Sequence, residues 1–206
     1  GVRRMKRCIV LGKANVGKSL FVLSFAEYLG VQKVSVTIEE PGRHGQSRTV
    51  SVRDAMAQWV SDTPHQTRAL HAVQLELPVG KGVKRFELVD TSGLSEGIPR
   101  ETAIRRAMAQ TLAAVREADL VLHIVDASAA AQEGAVEAIG EVDFQVAHFA
   151  QMKGGYLILA NKMDLPTAKE GLERIRQEFA GHPVIPVSAR TKDGFREVKR
   201  YVWRWI

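Results

Sequence analysis

Cysteine occurs once in the 206 residues, at Cys8, so no internal disulfide can form and a reducing cytoplasm is the expected compartment. Long apolar runs are missing. The best stretch, Leu120 to Val125, is interrupted by His123 and closed by Asp126, which excludes a membrane-spanning helix. No signal peptide is apparent: Gly1-Val2-Arg3-Arg4-Met5 is basic, but the apolar run after it stops at Leu11 in a glycine turn. A start on Gly rather than Met is what a tag scar or a trimmed chain is expected to leave. Internal repeats, low-complexity tracts and blocks of one charge sign are also lacking. What is present, 45% hydrophobic and 25% charged residues, is the composition of a packed domain and excludes a mainly disordered chain. The length suits one domain. Lys and Arg number 29 against 23 Asp and Glu, a net +6 with a pI near 9.6. That balance is compatible with an anionic partner such as RNA or nucleotide, and equally with a solvated basic surface.

Short β-branched or leucine-rich runs alternate with helix-period segments. Strands are expected at Arg7 to Leu11, Ala72 to Leu77, Phe86 to Val89, Leu120 to Val125, Tyr156 to Ala160 and Val184 to Val187. Helices are expected at Ser19 to Leu29, Arg100 to Glu117, Ala135 to Met152, Ala168 to Phe179 and Phe195 to Trp205. Gly80-Lys81-Gly82 should turn the second strand back on the third. This alternation predicts a mostly parallel sheet covered on both faces, with ligands bound at the edge formed by the strand C-termini. Val36 to Gln66 interrupts it. The segment is polar, carries Pro41-Gly42, Gly45 and Pro64, and reads as a long excursion holding one helix, Val52 to Val60, started by Ser51.

The first strand runs into Gly12-Lys13-Ala14-Asn15-Val16-Gly17-Lys18-Ser19, which fits G-x-x-x-x-G-K-[ST] and opens directly into a helix. Glycines let the backbone curl so that successive N–H groups face phosphate oxygens. The helix N-terminus adds its positive end, and Lys18 reaches the β- and γ-phosphates. Gly12 through Ser19, with Leu20 behind them, are the candidate phosphate-binding residues. The Ser19 hydroxyl is a hard oxygen ligand for Mg²⁺. A second motif, Asp90-Thr91-Ser92-Gly93-Leu94, follows the third strand: Asp90 is placed for Mg²⁺ and Gly93 can offer its N–H to a γ-phosphate. A threonine should close the site with its hydroxyl on the metal. Thr37, Thr49 and Thr67 are candidates, and Thr67 is favoured because it stands shortly before the hairpin strand expected at Ala72 to Leu77, which must follow it, and 23 positions before Asp90.

Strand Tyr156 to Ala160 ends in Asn161-Lys162-Met163-Asp164. A carboxylate accepts only, so Asp164 suits a base edge with two N–H donors, as guanine has and adenine lacks. A buried carboxylate facing adenine would be mismatched, and such mismatches reject strongly. Asn161 can brace the base, the Lys162 stem can cover its face, and Ser188-Ala189-Arg190 offers the Ala189 N–H to guanine O6. The six histidines show no metal-ligand spacing with Cys8 and read as surface or packing residues, as Trp203 and Trp205 read as packing for the last helix.

These motifs, in this order, resemble the translation-factor-related P-loop GTPases, most closely the Era-like bacterial branch. The resemblance covers Lys6 to Ile206 and rests on G-K-A-N-V-G-K-S, D-T-S-G-L, N-K-M-D and S-A-R, with Gln66-Thr67-Arg68 similar to the family's switch-threonine context. It implies a three-layer α/β P-loop NTPase fold, the Ras-like G domain, whose mostly parallel sheet has one antiparallel edge strand. Residues 1–206 then form a single domain, with an insertion at 36–62. It further implies GTP and GDP binding, slow Mg²⁺-dependent hydrolysis involving Lys18, Thr67 and Gly93, and conformational signalling. Leu94 stands where Ras-type members carry a glutamine, as in Era-like proteins, some of which hold K⁺ through the loop asparagine, here Asn15. A GTP- or GDP-gated binding module with negligible turnover is the alternative; an ATP-using enzyme is disfavoured by Asp164. Partners implied by the resemblance are ribosomal RNA or a ribosome-associated protein, and a nucleotide-dependent dimer.

Overall fold

The computed structural model describes residues 4–39, 46–59, 70–90, 100–132 and 139–206. Its strands are β1 (Lys6–Leu11), β2 (Lys33–Glu39), β3 (Gln46–Ser51), β4 (Leu70–Val79), β5 (Gly82–Asp90), β6 (Leu120–Asp126), β7 (Tyr156–Asn161) and β8 (Val184–Pro186). The helices are α1 (Lys18–Tyr28), α2 (Val52–Trp59), α3 (Arg100–Glu117), α4 (Ala127–Ala130), α5 (Glu141–Lys153), α6 (Ala168–Glu178) and α7 (Phe195–Trp205). One sheet runs β3-β2-β4-β5-β1-β6-β7-β8. Pairings from β5 through β8 are parallel, and those among β3, β2, β4 and β5 are antiparallel.

The parallel strands are apolar on both sides because helices cover both faces. In β6, Leu120, Leu122 and Ile124 join one core and Val121 and Val125 the other; β1 divides Cys8 and Val10 from Ile9 and Leu11 in the same way. The first core lies under α1 and α7. There Phe21 stacks on Phe25 with centroids 5.5 Å apart, and Phe195 meets both edge-on at 5.4 and 5.7 Å. Such contacts add to plain area burial. The second core lies under α5 and α6. Gly171 lets α6 come so near α4 that a Cβ there would stand 1.6 Å from the Ala127 carbonyl oxygen. No helix among the described residues is long and apolar enough to cross a membrane.

Two expectations need correction. The antiparallel part of the sheet is wider than one edge strand: β2 and β3 form a hairpin in register from Lys33↔Ser51 to Ile38↔Gln46, and β2 also pairs with β4. The stretch read as an excursion with a single helix therefore extends the sheet. Polar residues in β3 and the Pro41-Gly42 pair hide the alternation of Val34, Val36 and Ile38, which is a strand signal. The helix expected from Ala135 starts at Glu141, and α4 precedes it, begun by Asp126, whose carboxylate accepts from the Ser128 and Ala129 N–H groups at 2.9 and 3.1 Å. Ser51 does start α2, its Oγ accepting from the Asp54 N–H at 3.1 Å.

Candidate functional site

The loop between β1 and α1 is Gly12–Gly17, and its left-handed turns fall on Asn15 (φ 65°) and Gly17 (φ 98°). Only glycine fits at the second position, since a Cβ would stand 2.5 Å from Asn161 Nδ2. Lys18 is buried at the start of α1, where its Nζ donates to the carbonyls of Gly12 and Lys13, the latter at 2.7 Å. Burial pulls the Lys18 pKa below its ordinary value, while Asp90 and Asp143 act to raise it. The Ser19 hydroxyl lies 2.7 Å from Asp90 Oδ2. Asp90 ends β5 and is buried, and the parallel register Val10↔Asp90 brings it beside the loop. The two oxygen donors expected to share a metal are thus neighbours, although 71 residues apart in the chain.

On the far side of the loop, Asn161 ends β7 at 2% exposure. Its Nδ2 donates to the Val16 carbonyl at 2.9 Å, and its Oδ1 accepts from the Ala189 N–H at 3.0 Å. The Ala189 N–H, expected to face a base, is thereby engaged by Asn161. Asp164 is exposed rather than buried, and Ser188 Oγ donates to its Oδ1 at 2.9 Å while accepting from the Thr191 N–H at 3.1 Å. The carboxylate is aimed by this seryl contact instead of by enclosure. Lys162, at φ 71°, sends its Nζ to the Asn15 carbonyl at 2.7 Å and to Asp126 Oδ2 at 2.8 Å. Burial would raise the Asp126 carboxyl, but Lys162, Ser128 and the Ala129 N–H together hold it below the ordinary value.

Gly12, Lys13, Ala14, Asn15, Val16, Gly17, Lys18, Ser19, Leu20, Asp90, Asn161, Lys162, Asp164, Ser188 and Ala189 therefore sit at or just beyond the C-terminal ends of β1, β5, β7 and β8. Of the threonine candidates, Thr37 lies in β2 and Thr49 in β3; Thr67, Gly93 and Leu94 lie outside the described residues. Sequence motifs do not single out Asp126 or Asp143. The one signal for Asp126 is its place at a strand end in line with Asp90 and Asn161; Asp143 has none beyond a first-turn position. His123 is buried, as a packing residue would be, but it is hydrogen-bonded on both ring nitrogens. A cavity of about 700 Å³, lined by Arg4, Arg116, Lys153 and Trp205 among others, lies at the opposite ends of the strands, away from all these motifs.

The sequence pattern of the 50S ribosome-binding GTPase family matches residues 45–162, more than half of the 206. The chain belongs to that family. Similar curated GTPases include GTPase Obg of Halalkalibacterium halodurans, 31% identical over 58% of this chain and 28% of the relative. GTPase Der of Lactobacillus helveticus is 33% identical over 88% of this chain and 35% of its own length. The tRNA modification GTPase MnmE of Symbiobacterium thermophilum is 30% identical over 98% and 35%. The chain thus spans between a quarter and about a third of the length of these relatives. Among solved structures, Aquifex aeolicus Era bound to GDP and aluminium fluoride superposes with a TM-score of 0.61 at 18% identity, over 99% of this chain and 57% of that one. A complex of Era with MgGDPNP and a segment of 16S ribosomal RNA gives 0.58 at 19%, over 98% and 57%. The fold of this family member is the three-layer α/β Ras-like G domain with a mostly parallel sheet.

Proposed function

We propose that this chain binds GTP and GDP at the edge formed by β1, β5, β7 and β8, hydrolyses GTP to GDP and phosphate, and acts as a conformational switch. The observation that carries the reading is Asn161, whose amide joins Val16 of the phosphate loop to Ala189 beyond β8. Through it, one edge presents a phosphate cradle, a paired hydroxyl and carboxylate, and the acceptor of Asp164. Membership of a GTPase family and the relatives named above support the same activity.

The loop N–H groups of residues 12–19 and the start of α1 would hold the phosphates. Lys18, drawn off the Gly12 and Lys13 carbonyls, would neutralise charge on the β- and γ-oxygens. Ser19 and Asp90 fit a hard divalent cation, being two oxygen donors 2.7 Å apart. When bound there, Mg²⁺ would supply charge neutralisation across the β- and γ-phosphates. Asp164, held by Ser188, would accept from the two N–H donors of guanine, and Asn161 would brace the base, with the Lys162 stem beside it. Thr67 and Gly93 are the proposed γ-phosphate contacts whose loss on hydrolysis releases the switch.

Residues 1–206 are taken as a single GTPase domain with an insertion at 36–62; the β2–β3 hairpin and α2, both placed between α1 and β4, support the latter. Membership of the Era-like branch is proposed on the order of the motifs, and a cytoplasmic location on the single cysteine. Ribosomal RNA or a ribosome-associated protein is the proposed partner, in keeping with the RNA complex of Era, and dimerisation is proposed to depend on nucleotide. K⁺ at Asn15, on the exposed side of the loop, is proposed to stimulate hydrolysis.

Competition for a fluorescent GDP analogue tests the binding claim: GTP should displace it and ATP should not. Equal displacement by ATP, or no binding of the analogue, would refute the reading. Single-turnover phosphate release with Mg²⁺, in KCl and then NaCl, tests catalysis. Release faster in KCl is expected, equal rates remove the potassium proposal, and no release favours the gated binding module that Leu94 suggests.

A further inference from the structure

A polar chain leads from the phosphate loop into the interior, through the first turn of α5 to β6 and the start of β7. Lys13 Nζ lies 3.4 Å from Asp143 Oδ2, in the first turn of α5. The same oxygen accepts from the Gly140 N–H at 2.9 Å. Asp143 Oδ1 is 2.8 Å from His123 Nε2, and His123 Nδ1 is 2.6 Å from the Tyr156 hydroxyl. A carboxylate offers no hydrogen, so Nε2 carries the proton. The Tyr156 phenol, whose pKa burial raises far above its ordinary value, donates to Nδ1. The side chains of His123 and Asp143 are 2% and 4% exposed. Such a carboxylate needs its partners, since an unpaired charge in the interior is expensive. Its oxygens are held from three places at once: β6, the start of α5, and the phosphate loop.

The loop end of this chain is what gives it a functional consequence. The carbonyl of Lys13 is one of the two oxygens that hold Lys18 Nζ, and the Gly12 carbonyl beside it is the other. We propose that Asp143 is a positioning residue for the phosphate loop: by pinning the Lys13 side chain, it fixes the Gly12 and Lys13 carbonyls that orient Lys18. His123 and Tyr156 hold Asp143 in place from beneath. The Asp143 charge also favours the protonated form of Lys18 against the effect of burial. This inference rests on the nucleotide-binding reading above.

The sign of one measurement separates positioning from plain electrostatics. Removing a negative charge near bound phosphates should tighten GDP binding if Coulomb repulsion alone acts. Positioning demands the reverse. Affinity for a fluorescent GDP analogue would be measured for the unsubstituted chain, Asp143→Asn, Lys13→Met and the double variant, with melting of each nucleotide-free protein alongside. Asp143→Asn is expected to weaken binding about tenfold, the scale of one lost charged hydrogen bond. In the Lys13→Met background it should weaken binding no further, because the contact is already gone. Binding that tightens, binding that does not change, or the same tenfold loss in both backgrounds would overturn the proposal. If Asp143→Asn does not fold, His123→Gln is put through the same cycle, with a smaller loss that again vanishes in Lys13→Met. Failure of the unsubstituted chain to bind the analogue would instead overturn the parent reading, and this one with it.

Discussion

The tightest joint in the site is the contact of Gly17 with Asn161, and substituting Gly17→Ala tests it. Two costs follow from the geometry. An alanine at φ 98° sits in a left-handed region that costs a β-carbon roughly 1–2 kcal/mol. Its methyl would also stand 2.5 Å from Asn161 Nδ2, so the amide must leave. Leaving forfeits the bonds to Val16 and Ala189, worth about 1 kcal/mol each. The sum is about 3–4 kcal/mol, which for a chain of this size lowers the melting temperature by roughly 6–16 °C. Thermal unfolding of the nucleotide-free protein reads this directly. In an Asn161→Ala background there is no amide to displace, so the same substitution should cost only its backbone share, about 1–2 kcal/mol or roughly 2–8 °C. An equal fall in both backgrounds would show that Gly17 is needed for its φ alone and that the loop and the Asn161 motif are not mechanically joined.

Three further outcomes are expected. Gly171→Ala should destabilise the chain by about 1–3 kcal/mol in urea unfolding despite the better helix propensity of alanine, because the Ala127 carbonyl 1.6 Å from the new carbon is backbone and must move with α4. Cys8 is buried and its thiol pKa is raised, chiefly by burial and then by Asp119, so a disulfide reagent at pH 8 should leave the native chain unlabelled and modify it only on unfolding. Burial works to raise the Asp143 carboxyl, but His123, the Gly140 N–H and Lys13 outweigh it and hold it below the ordinary value. Its stabilisation is therefore complete above about pH 4 and is lost as the pH falls through the lower folded value. Urea midpoints below about pH 4 should drop less steeply in Asp143→Asn than in the unsubstituted chain.

Chemistry carried by contiguous residues is legible in the amino-acid sequence. The phosphate loop, Asp90 and Asn161-Lys162-Met163-Asp164 each follow a strand whose apolar run announces it, and the parallel sheet then delivers them to one edge. Helices α3 and α7 are readable to the residue because their apolar period is uninterrupted. The β2–β3 hairpin escapes such reading because polar side chains alternate through it and a Pro-Gly pair lies between its strands. Contacts between distant segments leave no local trace. Nothing in the spacing of Lys13, His123 and Asp143 says that a loop, a strand and a helix start will share one carboxylate. The engagement of the Ala189 N–H by Asn161 likewise depends on how two loops meet, which no single motif encodes.

The hairpin that widens the sheet also changes what its margins offer to other chains. Without β2 and β3, the long strand β4 would present a bare ladder of amides and carbonyls on its outer side. With them, the outermost strand is β3, six residues long and bearing exposed Arg48 and Thr49. At the other margin, β8 is only three residues long and ends on Pro186, which has no N–H to give. A strand arriving from outside thus meets a short, polar lip on one flank and an imino acid on the other. Both features resist runaway stacking of copies during synthesis and refolding.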